Sequence, residues 1–319
     1  MVVDNSTLAA VAACSTRAGL RYVLDMTSVE VNAPMVAGSV AHEVLAEFYK
    51  TWNPDMALTK LGTYAAWWES TIKPADDRLA SDNVRRVMAR WMATHPQQAL
   101  PFTIDPAFVE VGFAAPLGPG VTYVVRLDGL GIDGAGDYWV VENKTTGRLD
   151  ERWRRKFRLS SQLSGYVWAA RQLVPNRTVV GAYVIGVEFA KLPNDSKRKC
   201  KAHGVVYAEC GGLHARSDIV LTQRTALQLE EWATTALDLT EKLVGIREAI
   251  KTHGDVRALP QEGLFNGSCR ECEFADFCAV GRTPEAANAM LKHDPWEPFE
   301  NAMRLDAARH ELKEKKDGL

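Results

Sequence analysis

The chain has 319 residues, enough for one large domain or two small ones. Hydrophobic residues at 46% and charged residues at 24% exclude a disordered or fibrous chain and leave a globular one with a sizeable core. A formal net charge of −2 excludes a protein that coats nucleic acid by bulk electrostatics, but not one with a local basic groove. No uninterrupted apolar run is long enough to cross a bilayer, and Met1 to Ser6 lacks the basic start and apolar stretch of a secretory signal. These features point to a cytoplasmic protein without a membrane partner. There, the six cysteines are metal ligands or spectators rather than disulfides.

Residues 5–24 read as one helix, with Leu8, Val11, Ala12 and Leu20 at helical spacing and Ser6 or Asn5 as its cap. A second helix runs from about Met35 to Tyr49, with Val36, Val40, Val44, Leu45 and Phe48 on one face. The pattern stays helical from Pro54 to His95, where Trp67, Trp68 and Trp91 read as core packing rather than a base-stacking platform. β-Branched and aromatic residues then mark strands at Phe108–Phe113, Thr122–Ile132 and Tyr138–Thr145. Between the last two, Asp133 to Asp137 has the composition of a hairpin loop. A helix from about Glu151 to Leu173 follows, then strands near Thr178–Phe189 and Gly204–Glu209, and a long helix from about Thr222 to His253. The tail from Glu311 is a charged helix end or disordered. Strands between helices, with one central hairpin and no internal repeat, indicate a mixed α/β fold.

The hairpin carries the chemistry. Side chains alternate along a strand, so Glu142 and Lys144 share one face and Asn143 takes the other. If Ile132 pairs with Tyr138, counting away from the loop sets Asp128 opposite Glu142, about 5 Å apart at Cβ. Facing like charges destabilise a sheet unless something neutralises them, and Mg²⁺ or Mn²⁺ would, because both favour carboxylate oxygens. Lys144 could then orient or deprotonate the attacking water, or stabilise charge building on a scissile phosphate. The alternative is a surface hairpin with an ordinary Glu–Lys pair. His42, in Gly38-x-x-x-His42-x-x-Leu45, offers an imidazole from an amphipathic helix, and Gln162 and Tyr166 share a helix face at i and i+4. The run from Arg148 to Arg158 holds Arg152, Arg154, Arg155, Lys156 and Arg158, which could meet DNA phosphates or form a solvated face. The cluster Lys197, Arg198, Lys199 and Lys201 offers the same choice.

His42, Asp128, Glu142-Asn143-Lys144 and Gln162-x-x-x-Tyr166 match, in order and spacing, the motif series of the RecB-type PD-(D/E)xK nucleases, and the chain resembles that family over nearly its whole length. The resemblance implies a restriction-endonuclease-like core, with a mixed central sheet, flanking helices and a helical N-terminal part. It implies a metal held by His42, Asp128, Glu142 and the backbone carbonyl of Asn143. Lys144 would stand at the attacking water, with Gln162 and Tyr166 supporting the site and positioning DNA. The implied activity is metal-dependent hydrolysis of DNA, with exonuclease action on single-stranded ends, in repair, recombination or CRISPR adaptation.

Cys269-x-x-Cys272-x₅-Cys278 is a compact ligand cluster short of the fourth ligand that tetrahedral zinc or a [4Fe–4S] cubane needs. Cys14 resembles the remote first cysteine of the iron–sulfur members of that family, which include AddB nuclease domains and CRISPR-adaptation exonucleases. The resemblance thus implies a [4Fe–4S] cluster on Cys14, Cys269, Cys272 and Cys278. A zinc site is the other reading of the same thiols. Cys200 and Cys210, with His203 and His214, are too irregularly spaced for a site and read as spectators. Ser15 stands where many relatives carry proline. The expected layout is a single nuclease domain over 1–284, with a helical insertion at about 51–100 and an iron–sulfur closing segment at 264–280, then a tail over 285–319. With no G-x-x-x-x-G-K-[ST] loop the chain has no ATP-driven motor, so unwinding would need a helicase or recombination partner. A catalytically silent iron–sulfur DNA-binding subunit is the competing reading.

Overall fold

A computed structural model describes residues 1–30, 33–71, 77–189, 199, 204–206 and 217–298, with the backbone alone at 65–71 and 77. In chain order the elements are β1 (Val2–Val3), α1 (Asn5–Ala13), α2 (Ser15–Tyr22), β2 (Met26–Ser28), α3 (Ala33–Thr51), α4 (Pro54–Thr71) and α5 (Ser81–Thr94). Then come β3 (Thr103–Ile104), β4 (Val111–Gly118), β5 (Val121–Leu127), β6 (Gly129–Ile132) and β7 (Tyr138–Thr146), followed by α6 (Glu151–Arg155), α7 (Ser161–Leu173), β8 (Val179–Glu188) and β9 (Ser217–Gln223). The last are α8 (Ala226–His253), α9 (Gly263–Asn266), α10 (Ala275–Ala279), α11 (Pro284–Met290) and β10 (Leu291–His293). The described residues fall into two units interleaved along the chain, one drawn from 32–111 and 127–224, the other from 1–31, 112–126 and 225–319.

The first unit is built on a five-stranded mixed sheet in the order β3-β6-β7-β8-β9. β7 and β8 run parallel, and every other pair is antiparallel. Helices cover both faces. Lys144 pairs with Gly186 and Thr145 with Val187, so the two pairs point to opposite sides. On one side Gly38 of α3 lies against Thr145, where an added Cβ would stand 3.4 Å from its hydroxyl. On the other, Trp153 of α6 fills the place of the side chain that Gly186 lacks. The core joins Val44, Leu45, Phe48 and Tyr49 of α3 to Met88 and Trp91 of α5 and to Val141, Ile185 and Val187 of the sheet. Trp91 is fully buried against Phe48 and Tyr49, as its reading as core requires. The side chains of Trp67 and Trp68 lie outside the described residues.

The other unit contains the three-stranded sheet β1-β5-β4, the pair β2–β10, and α8 with α1 and α2 beside it. α8 buries Leu229, Trp232, Ala236, Leu243, Ile246 and Ile250. It opens on a reciprocal capping box, Thr225 with Gln228, and closes at Gly254 in the left-handed conformation, φ 64°. An added Cβ on Gly19 would come within 2.4 Å of Leu259, so α2 depends on that glycine for its close packing. Among the described residues no helix is long and apolar enough to cross a membrane.

Five boundaries differ from the sequence reading. The helix expected over 5–24 breaks at Cys14, whose backbone is extended, and its cap is Asp4, which accepts the Thr7 N–H at 2.6 Å. The strand expected over Phe108–Phe113 begins only at Val111, because Glu110 takes a left-handed turn (φ 53°). The strand expected over Thr122–Ile132 is two strands in two sheets, parted at Asp128. The helix expected over Glu151–Leu173 is interrupted between α6 and α7, where Ser160 caps the second. Thr222 belongs to β9, and α8 waits for its Thr225 cap. Each break is a local backbone event inside a continuous apolar pattern, to which hydrophobic periodicity is blind. Of the strand expected near Gly204–Glu209, Val206 forms a bridge with Lys199, and 207–209 lie outside the described residues. So do Cys200, Cys210, His203, His214, Lys197, Arg198, Lys201 and the tail from Glu311.

Gly181 of β8 supplies a test of this sheet. An added Cβ there would stand 2.1 Å from the Thr222 carbonyl oxygen and 2.8 Å from Gln223 Cα, both backbone atoms of the neighbouring strand. Gly181→Ala is therefore expected to cost about 2 kcal/mol through overpacking. The urea midpoint should fall without a change in slope, and a wild-type midpoint would show that β9 yields freely.

Candidate active site

The hairpin aligns the site. Asp133 Oδ1 accepts the N–H groups of Ala135 and Asp137, and its other oxygen accepts the indole N–H of Trp139, which closes the loop. The register runs from Ile132↔Tyr138 to Gly129↔Val141, so the next position on each strand sets Asp128 opposite Glu142. The ladder ends there, and the hydrogen bond that continues it is made by a side chain. Asp128 Oδ2 accepts the Asn143 N–H at 2.6 Å, and Oδ1 lies 3.1 Å from His42 Nδ1. Two turns after His42 along α3, Tyr49 donates its hydroxyl to Asn143 Oδ1 at 2.8 Å. α3 is thus tied to Asp128 and to Asn143 of β7 at two polar points beside an apolar interface.

Glu142 is 1% exposed. Its Oε1 pairs with Lys144 Nζ at 2.5 Å, while Oε2 is buried without a hydrogen-bond partner. A buried carboxylate oxygen left in that state is costly unless a cation completes it. The donor set fits one. His42, Glu110 and Asp128 each present a ligand atom, all within 4.8 Å of one another. Imidazole with carboxylates and a spare carboxylate oxygen suits a hard or borderline divalent ion.

The charges act on one another strongly. Burial works to lower the His42 pKa, but the charge and hydrogen bond of Asp128, with Glu142 and Glu110, outweigh it and raise it to about 9. Burial pushes Asp128 upward, and His42, the Asn143 N–H and Lys144 overcome that and hold it below the usual carboxylate range. For Glu142, burial and the Asp128 charge prevail over Lys144 and His42, raising it to about 7. Burial of Lys144 opposes its charge, yet Glu142 and Asp128 keep it protonated. In the metal-free site the surroundings thus favour the charged forms of His42, Lys144 and Asp128 and the neutral form of Glu142.

Gln162 and Tyr166 meet on α7, with Gln162 Nε2 donating to the Tyr166 hydroxyl at 2.9 Å, and α7 packs on β7 and β8. The basic run lies on and after α6. Arg154 is bound to Asp218 and Arg155 to Glu151, while Arg152, Lys156 and Arg158 stand exposed. Sequence reasoning missed Glu110 and Tyr49. Glu110 sits between two valines as any strand-edge acid would, and only its left-handed turn and its N–H bond to the Asp128 carbonyl, 3.1 Å, carry it to the site. Tyr49 reads as one more apolar position of α3.

In the other unit, Cys14, Cys269, Cys272 and Cys278 are free thiols lining one cavity of about 270 Å³ with Arg17, Gln261 and Phe274. The extended backbone between α1 and α2 exposes Cys14 to it, and Gly267, left-handed at φ 78°, turns the chain from α9 toward Cys269. Gly263 makes room for the Cys269 sulfur, which an added Cβ would approach to 2.8 Å. Burial, and after it the neighbouring thiols, push Cys272 and Cys278 up as thiols. The two chain regions are fastened beside the cavity: Glu262 accepts the Ser15 N–H and hydroxyl at 2.7 Å, and Arg282 donates to Thr16 and to the carbonyls of Val256 and Leu259.

The titrations give a signed expectation for the metal-free protein. His42, raised from 6.5 to about 9, contributes stability that is complete below its unfolded pKa and is lost as pH rises through 9. Glu142, raised from 4.5 to about 7, likewise favours folding below its unfolded pKa and loses that as pH rises through 7. Stability in chelator should therefore fall between about pH 5 and 9, and His42→Gln should remove the upper part. Stabilisation by added Mn²⁺ should grow over the same interval, as the ion replaces protons. Urea titrations at stepped pH measure both, and a flat profile in chelator would contradict the charge assignment.

The family model for the PD-(D/E)XK nuclease superfamily matches residues 5–279 of the chain. No curated protein matches it.

Proposed function

The chain belongs to the PD-(D/E)XK nuclease superfamily, and on that premise we propose that it is a Mg²⁺- or Mn²⁺-dependent deoxyribonuclease of the RecB-like, iron–sulfur subgroup. The observation that carries the reading is the unpartnered Glu142 Oε2, buried beside the ligand group of His42, Glu110 and Asp128. A divalent ion on these groups, with the Asn143 carbonyl, would supply Lewis-acid stabilisation to an anionic phosphate. The remaining work falls to the protein. Asp128 is oriented by the Asn143 N–H and by His42, so it presents a fixed oxygen rather than a mobile one. Lys144, held by Glu142, brings a positive group to the scissile phosphate and to the water that attacks it. Gln162 and Tyr166 position the substrate, and Arg152, Lys156 and Arg158, with Arg154 and Arg155, draw in DNA phosphates.

In this reading the enzyme is an exonuclease on single-stranded DNA ends, working in the cytoplasm in repair, recombination or CRISPR adaptation. A helicase or recombination partner opens duplexes for it. Residues 1–284 act as one nuclease domain and 285–319 as an appended tail. The cysteine cavity holds a [4Fe–4S] cluster that closes the fold. Four free thiols lining one cavity of about 270 Å³ support a shared metal centre, and the resemblance to the iron–sulfur members favours a cluster over zinc.

Asp128→Ala and Glu142→Ala are each expected to abolish cleavage of end-labelled DNA in Mg²⁺ while the protein stays folded. Full activity in either would remove the site. Lys144→Ala should lower turnover by about two orders of magnitude, corresponding to about 3 kcal/mol, with DNA binding nearly intact. Weak binding with normal turnover of bound DNA would make Lys144 a phosphate clamp.

Cys14→Ala should lose iron and visible absorbance as fully as Cys272→Ala and melt earlier, since metal binding and folding are coupled. Cys200→Ala and Cys210→Ala should do neither. Anaerobically purified protein with stoichiometric zinc and no iron would replace the cluster by a zinc site.

A further inference from the structure

Open α/β sheets take their ligands in the crevice outside the carboxyl ends of parallel strands. In this protein that place is the end of the parallel pair β7–β8. A cavity of about 130 Å³ opens there, lined by Arg78, Thr145, Thr146 and Gly147, with Pro34 and Phe189 on its apolar side. Thr145 and Thr146 follow Lys144 at the end of the strand, with Thr145 on the face of the sheet opposite to Lys144.

Two glycines shape it. Gly38, one turn before His42 on α3, lies against the Thr145 hydroxyl, and an added Cβ would stand 3.4 Å from it. An added Cβ on Gly147 would lie 2.5 Å from Arg78 Nη1, so the guanidinium occupies the space that any larger residue at 147 would take. Gly147 is not in the left-handed region, so what it contributes is room rather than an unusual turn. The Thr146 hydroxyl accepts the Arg148 N–H and donates to its carbonyl, which fixes the turn after β7.

A planar cation lining a cavity with Thr145, proline and phenylalanine is chemistry for a phosphate oxygen, while the Thr146 hydroxyl is already engaged by Arg148. Guanidinium matches phosphate with paired donors, and threonine is among the side chains that bond backbone phosphates. The proposed mechanism places the scissile phosphate at Lys144 and does not itself use the cavity at the strand end. We propose that the cavity seats a neighbouring phosphodiester group of the bound DNA strand, with Arg78 as the positioning residue. The strand's register over Lys144 is then set from the end of the same β-strand. This inference rests on the deoxyribonuclease reading and adds to it a second point of substrate contact.

The test is binding of a fluorescent single-stranded oligonucleotide in chelator, where cleavage is stopped, across a series of salt concentrations. Arg78→Ala should raise Kd about tenfold and lower the slope of log Kd against log salt by about 0.7, the loss of one phosphate contact on a single strand. Arg78→Lys should keep the slope and recover part of the affinity. Gly147→Ala, which keeps every charge but fills the guanidinium's space, should also weaken binding. Mn²⁺ affinity, measured by calorimetry, should be unchanged in all three. Wild-type Kd and slope in Arg78→Ala would overturn the subsite, as would a loss of Mn²⁺ affinity parallel to the loss of DNA binding. If Arg78→Ala melts early, Arg78→Lys and Gly147→Ala decide, and wild-type binding in both overturns the proposal. Wild-type protein that neither binds the oligonucleotide nor cleaves it with Mn²⁺ would sink the nuclease reading and the subsite together. Cleavage by wild type, with Arg78→Ala indistinguishable from it, would sink the subsite alone.

Discussion

The hydrogen bond from the Asn143 N–H to Asp128 Oδ2 stands where a sheet ladder would otherwise continue, and the arrangement of the site depends on it. At Asp128 the chain passes from β5, in the three-stranded sheet, to β6, in the five-stranded one. A backbone N–H left open by that departure would be costly in a buried place. A carboxylate satisfies it, and is held opposite Glu142 as a result. Two buried acids at such range cannot both ionise without compensation. Compensation arrives from His42 on one side and Lys144 on the other, and one oxygen of Glu142 is still left over. The opening of the sheet, the acid pair and the candidate cation site are one structural event.

Helix α3 makes that event durable. Its apolar stripe, Val44, Leu45 and Phe48, is buried against the sheet and α5, and its polar residues His42 and Tyr49 reach Asp128 and Asn143 from within that contact. Each polar contact is embedded in packing that would have to be lost for it to move. Groups held this way keep their relative positions without reorganisation at the moment of reaction, which is what electrostatic stabilisation of a phosphate requires.

The cysteine cavity solves a different problem. Its four thiols come from chain regions more than 240 residues apart, and bringing such regions together carries a loop-closure cost. Hydrogen bonds from Ser15 to Glu262 and from Arg282 to Thr16 already join them. A cluster there would add strong bonds to an arrangement the fold has drawn together, and its natural role is closure rather than chemistry at the acids.

The sequence alone determined the parts governed by local periodicity. The loop composition from Asp133 to Asp137 marked the turn, and once Ile132 is supposed to pair with Tyr138, as it does, two-residue alternation sets Asp128 opposite Glu142. Helical spacing was enough to put His42 on α3 and to pair Gln162 with Tyr166. Tertiary structure decided the rest. The break at Cys14, the left-handed turn at Glu110 and the change of sheet at Asp128 are single-residue backbone choices, and an apolar pattern runs through them unaltered. Glu110 and Tyr49 join the site through partners 18 and 94 positions away in the chain. Arg78 enters the strand-end cavity because Gly147 leaves it room. Periodicity reports which face of an element is buried, whereas a site is made where faces of distant elements meet, and that meeting is fixed only when the whole core packs.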